Sequence, residues 1–105
     1  MSIMTIYRVE IGKTVLEDVE ELKGFLRYVM SREGAHRYIE AMYGEMMSLS
    51  VYADCFAVSR SQTIRAIHPQ ARRMVSHNRK FVYVFHIEGD VVVIDRILKS
   101  KMITQ

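Results

Sequence analysis

Phe81-Val82-Tyr83-Val84-Phe85-His86-Ile87, then Glu88-Gly89-Asp90, then Val91-Val92-Val93-Ile94-Asp95-Arg96-Ile97-Leu98 is the stretch that decides the fold of this 105-residue chain. Two runs rich in β-branched and aromatic residues flank three turn formers, which is the pattern of an antiparallel hairpin. The first run is apolar on both of its alternating faces, as a central strand should be.

The rest of the sheet is read outward from that hairpin. Residues 71–76 form a further strand, preceded by the turn His68-Pro69-Gln70. Residues 62–67 read as a short strand in which Ile64 and Ala66 are opposed by Arg65 and Ile67. Residues 52–61 have no clean period and carry the chain from helices to sheet. At the other end, residues 3–11 read as the opening strand, with Ile3, Thr5, Tyr7, Val9 and Ile11 on one face, and Gly12-Lys13 ends it. The tail, residues 99–105, frays or lies against the sheet.

Between the opening strand and residue 52 the period changes to that of a helix. Thr14-Val15-Leu16-Glu17 has the T-x-x-E form of a capping box. Val15, Val19, Leu22, Leu26 and Val29 then trace one face of a helix that ends near Met30. Its early acids, Glu17 and Asp18, favour the positive end of the helix dipole. Ser31-Arg32-Glu33-Gly34 turns into a second helix with Ala35, Tyr38, Ile39, Met42, Met46 and Leu49 on one stripe. Glu33 and Arg37 form an i,i+4 pair on it that adds little. So short a link makes the two helices an antiparallel hairpin whose apolar stripes need a sheet or a partner to cover them. The order β-α-α-β-β-β-β gives an α+β architecture, with the helical hairpin on one face of a curved antiparallel sheet. Residues 1–105 make one domain, without repeats or linkers.

Charge is split along the chain. Residues 1–59 hold six Lys/Arg against nine Asp/Glu, and residues 60–105 hold nine against three, so the overall +3 joins an acidic half to a strongly basic one. Cations concentrated on the strand-rich half are the footprint of a protein that meets a polyanion, most commonly nucleic acid. The single Cys55 cannot form an internal disulfide, which fits a reducing cytoplasm. No apolar run reaches the ~18 residues of a membrane helix, and the N-terminus lacks the basic start and apolar stretch of a signal peptide. Cys55 reads as a small apolar residue, and Met42, Met46 and Met47 as core packing; the alternative for the methionines is an adaptable docking groove for a partner segment.

The more specific sequence is Arg72-Arg73-Met74-Val75-Ser76-His77-Asn78, then the run from Phe81, then Ile94-Asp95-Arg96-Ile97-Leu98. With the element order, these residues resemble the RelE/ParE superfamily of bacterial type II toxins. Members often show an arginine opening the third strand, an Asn before the fourth, an aromatic near its centre and a closing I-x-R-I/V-L/M segment. Arg72, Asn78, Tyr83 and Ile94–Leu98 stand at those positions here. Lys99 stands where the family usually has His or Tyr, and Val82 where its RNA-cleaving branch has arginine. No tyrosine follows Tyr83.

The resemblance implies the toxin of a toxin–antitoxin (plasmid stabilisation) system, cytoplasmic and neutralised by a cognate antitoxin protein. The departures favour the ParE-like branch, which acts through a basic sheet on a macromolecular target such as DNA gyrase. The alternatives are a ribosome-dependent mRNA endoribonuclease of RelE type, and an inactive nucleic-acid- or protein-binding module. A homodimer is a further expected partner state, and whether the chain is an enzyme stays open.

The residues implied for target or phosphate contact are Arg72, Arg73, Arg96 and Lys99, with Lys80 and Lys101 as further cations. Strand alternation puts Arg72 and Arg73 on opposite faces, and likewise Arg96 and Lys99, so one groove can use at most half of each pair. His77 and His86 are the nearest groups for acid–base work. His86 is in phase with Val82 and Val84, which makes it a half-buried, satisfied histidine, while His77 sits in an exposed turn. Asp95 is expected to pair with a neighbouring Arg or Lys. His68, His77 and His86 are nine apart and match no zinc pattern, so no metal is expected. Glycines 12, 24, 34, 44 and 89 form no phosphate loop, and no cofactor is expected.

Overall fold

β3 (Phe81–Glu88) lies between β2 (Arg72–Val75) and β4 (Val91–Lys99), antiparallel to both. Residues 5–102 are described by the computed structural model. β1 (Arg8–Ile11) adds to the far side of β4, giving the order β1-β4-β3-β2. It runs parallel to β4, so the sheet is mixed rather than wholly antiparallel. A parallel pair needs a long crossover between its strands, and everything from the helices to β3 intervenes here. Of the expected opening strand, Tyr7 reaches the core just ahead of β1, Thr5 is exposed, and Ile3 lies outside the described residues. The chain closes on a 3-10 turn, Ser100–Met102.

β3 is covered on both faces. On one, α1 (Lys13–Val29), α2 (Arg32–Met47) and α3 (Leu49–Tyr52) bring Val15, Val19, Leu26, Ile39, Met42, Met46 and Leu49 into one cluster with Tyr83, Phe85, Val92, Ile94 and Ile97. On the other, Val82 and Val84 pack with Ile64 and Ala71, and Ile67 and Leu98 lean on them. Ile64 belongs to α4 (Gln62–Arg65), one helical turn where the sequence suggested a strand. Its first turn is capped by the Ser61 side chain, which accepts from the Ile64 N–H. A window this short carries no readable period; the need to cover Val82 and Val84 decides the conformation instead.

The hairpin between α1 and α2 is tighter than its sequence suggested. Met30 caps α1, and Ser31 already caps α2 by accepting from Gly34 N–H at 3.0 Å. On the exposed side of α2 the i,i+4 contact is His36–Glu40, at 3.7 Å, and among the described residues Glu33 and Arg37 do not pair. The T-x-x-E capping box does not form. α1 starts at Lys13, two residues earlier than a Thr14 cap would place it, with Gly12 as a cap that makes no side-chain bond, so Glu17 and Asp18 lie beyond the first turn. Sheet attachment explains the shift: Gly12 N–H donates to Ile94 O at 2.9 Å, which continues the β1–β4 ladder by one bond. A β-carbon on Gly12 would stand 2.5 Å from that same carbonyl oxygen.

The glycine that caps α1 and the glycine in its middle therefore behave oppositely when given a methyl group. Gly12→Ala collides with sheet backbone and should destabilise the fold by about 1–3 kcal/mol. Gly24→Ala, in the middle of α1 with nothing within 4 Å of the added carbon, should stabilise it by about 0.5–1 kcal/mol. Urea unfolding of the two variants against the parent checks both signs.

Candidate functional site

The four cations singled out in the sequence are divided by the sheet. Arg72 faces Phe85 in register and lies on the helix-covered side, while Arg73 faces Val84 on the other. Arg96 also faces Val84, and Lys99 faces Phe81. Arg72 and Lys99 thus share a face but are separated by four β3 positions, about 13 Å along the strand. Arg73 and Arg96 flank the same residue.

Two of the four are engaged within the fold. Arg72 Nη1 donates to Phe56 O at 2.8 Å. Arg96 donates through Nε and Nη2 to the two Asp18 oxygens, at 3.0 and 3.3 Å, and Ile97 N–H donates to Asp18 Oδ2 at 2.9 Å. Asp18 therefore closes the part of the β4 edge that lies beyond the last β1 bond. It does so with a side chain only 12% exposed, where a charge-assisted bond is worth more than at the surface. Arg73 and Arg96 thus share one face and Arg72 and Lys99 the other, half of each neighbouring pair to a face, as strand alternation requires.

A polar cluster absent from the sequence reading lies on the α4 side. The β3–β4 register slips between Val84 and Phe85, so that Val84 faces Arg96 and Phe85 faces Ile94, leaving Asp95 as the extra residue of a bulge. Asp95 contacts His86 and not a neighbouring Arg or Lys: its Oδ2 is 2.6 Å from His86 Nδ1, and Glu88 Oε1 is 3.0 Å from Nε2. The His68 ring stacks on the His86 ring at 3.7 Å, only 3° from parallel. The nine-residue spacing of His86 and Asp95 across a three-residue turn was the available signal, but the bulge that joins them has no motif of its own.

His68, His86 and Glu88 place their ligand-type atoms within 4.8 Å of one another. They suit a proton better than a metal ion. Stacked rings send their nitrogen lone pairs side by side instead of to one point, and His68 Nδ1 already accepts from Gln70 N–H at 3.0 Å. An imidazolium at His86, by contrast, has a carboxylate for each N–H. Burial opposes that charge, but the bonds to Asp95 and Glu88 outweigh it and raise the His86 pKa above its usual 6.5.

At the far end of β3 the β2–β3 turn is tied to α2. Glu45 accepts from His77 N–H at 2.6 Å and from the Tyr83 hydroxyl at 2.9 Å. Burial, then the Glu45 bond, pushes the Tyr83 phenol far up, so it remains a donor. Asn78 accepts from the Ser76 hydroxyl at 2.8 Å and Lys80 N–H at 3.0 Å, and donates to Tyr38 Oη at 2.7 Å. His77 is exposed, as its turn position suggested. Cys55, read as a small apolar residue, is exposed at the end of the 3-10 turn Ala53–Cys55. Of the methionine trio, Met42 and Met46 are core and Met47 is exposed.

The raised His86 pKa has a definite sign. A proton held more tightly in the folded state stabilises it fully below about pH 6.5. That contribution disappears as pH rises through the higher folded pKa. Urea midpoints should therefore fall between mildly acid and mildly alkaline buffer, and His86→Gln should flatten that fall. A parent midpoint that climbs over the same interval would contradict the assignment.

No protein-family model matches the chain, and no curated protein matches it in sequence. Among the described residues no helix is long and apolar enough to cross a membrane. Among solved structures, the fold matches a chain described as "Chromosomal ParDE TA system from P. aeruginosa", with a TM-score of 0.75 over 90% of this chain and 96% of that one, at 16% identity. The architecture of strand, helical hairpin and four-stranded sheet is a ParE-like fold.

Proposed function

We propose that this protein is the toxin of a type II toxin–antitoxin pair, cytoplasmic and held inactive by an antitoxin encoded with it. The likeness of nearly the whole chain to a component of the ParDE system carries this reading. Arg72, Asn78, Tyr83 and the Ile94–Leu98 segment support the same reading from the sequence.

Within that class we favour a toxin that binds and disables a macromolecule, such as DNA gyrase, over one that cuts RNA. Cleavage through a ribose 2′-hydroxyl needs cations gathered around one phosphate, together with a placed acid and base. Arg72 is bonded to Phe56 O, Arg96 to Asp18, and Arg73 and Lys99 lie on opposite faces. His86 is buried between two carboxylates.

Regulated expression tests the class. The chain should arrest growth, and co-expression of the short protein encoded beside it should restore growth. Unimpaired growth on induction of folded protein would overturn the toxin reading. For the mechanism, supercoiling by purified gyrase should be inhibited in proportion to added protein. Codon-positioned mRNA cuts in a ribosome-containing translation reaction would overturn the non-catalytic reading.

A further inference from the structure

We infer that the end of the molecule formed by the β2–β3 turn and the close of β4 is a binding surface for a phosphodiester backbone. This inference deepens the toxin reading by naming which surface meets the anionic part of the target. The centres of the sheet faces are less open, since α1–α3 pack on Tyr83 and Phe85 on one side and α4 packs on Val82 and Val84 on the other.

Arg79, Lys80, Lys99 and Lys101 are all exposed and none forms an ion pair among the described residues. They converge because Phe81 pairs with Lys99, and Ser100 N–H donates to Lys80 O at 3.0 Å, fastening the end of β4 to the turn. His77 is exposed on the same turn.

The turn is rigid before any ligand arrives. Asn78 and Ser76 bond across it, Glu45 and Tyr38 anchor it to α2, and Arg79 is fixed in the left-handed region at φ 65°. The acid within the network, Glu45, has its carboxylate oxygens occupied by His77 N–H and Tyr83. A braced backbone beneath these cations lowers the ordering cost of anion contact. Three of the four are lysines, which protein–protein interfaces avoid and nucleic-acid interfaces collect. That composition favours phosphodiesters over an acidic protein surface.

The test is fluorescence anisotropy of the purified protein with a labelled RNA strand and a labelled DNA duplex across a salt series. If all four cations engage, raising salt from about 50 to 200 mM should weaken binding roughly 50-fold for the single strand and 150-fold for the duplex. The triple variant Lys80→Gln/Lys99→Gln/Lys101→Gln should bind weakly and retain only about a threefold salt response, because one cation remains. Arg32→Gln/Arg37→Gln, which removes two exposed cations of α2, should behave as the parent. Circular dichroism and urea midpoints establish that each variant is folded.

Absence of salt-dependent binding by the parent, an unchanged triple variant, or an equal loss in the α2 variant would overturn the inference. So would displacement by an acidic peptide at equal charge concentration. Growth arrest by the parent chain is scored separately, so failure of the toxin reading and failure of this surface are distinguishable.

Discussion

The constraint on which this structure depends is the burial of β3 on both faces. A strand reading Phe-Val-Tyr-Val-Phe-His-Ile leaves no alternating position for water. Tyr83 and Phe85 must be covered by the helices, and Val82 and Val84 by something on the reverse side. Fully burying such a side chain is worth about 1.5–3 kcal/mol each, which exceeds any strand propensity that residues 62–67 possess. α4 is therefore a consequence of β3. Around Val82 and Val84 the second face of the sheet is thereby occupied by packing.

The same burial explains why the polar groups in and beside the core come in closed sets. Tyr83 delivers a hydroxyl into the helix-facing cluster and finds Glu45 there. His86 brings a ring to the reverse face and is met by Asp95, Glu88 and the His68 ring. A buried donor left without a partner costs about 1–3 kcal/mol, so each of these side chains obliges its neighbours to respond. The bulge at Asp95 is such a response: the extra residue allows the register that brings the carboxylate to the imidazole. Tyr7, just ahead of β1, follows the same rule. Its hydroxyl donates to Asp54 at 2.7 Å, and that bond, with burial, raises the phenol pKa.

These couplings mark what was legible in the sequence. The hairpin of β3 and β4, the two long helices with their buried stripes and the exposed His77 turn were all readable, because each rests on periodicity or turn chemistry within a dozen residues. β2 was readable for the same reason. What escaped was decided at long range. α4 exists to cover β3, the Gly12 cap is set by Ile94, and β1 is parallel to β4 because of where the intervening chain returns. The site was less legible than the fold. Alternation correctly divided Arg72 from Arg73, but nothing local could reveal that Asp18 would take Arg96 or that the Phe56 carbonyl would take Arg72.

The division of charge between the halves of the chain thus has two causes, and they act on different residues. Part of it is internal adhesion. Asp18 of the acidic half holds Arg96 of the basic half, and Glu45 holds the turn that starts at His77. Both bonds join α1 or α2 to the sheet across long sequence separations. Among the described residues Arg79, Lys80, Lys99 and Lys101 have no acid partner, and they stand where the sheet ends. A chain that needed only to neutralise its helices would have no use for Arg79, Lys80, Lys99 and Lys101 together. Like charges crowded at one end raise the energy of the isolated molecule, and salt or bound anions lower it again.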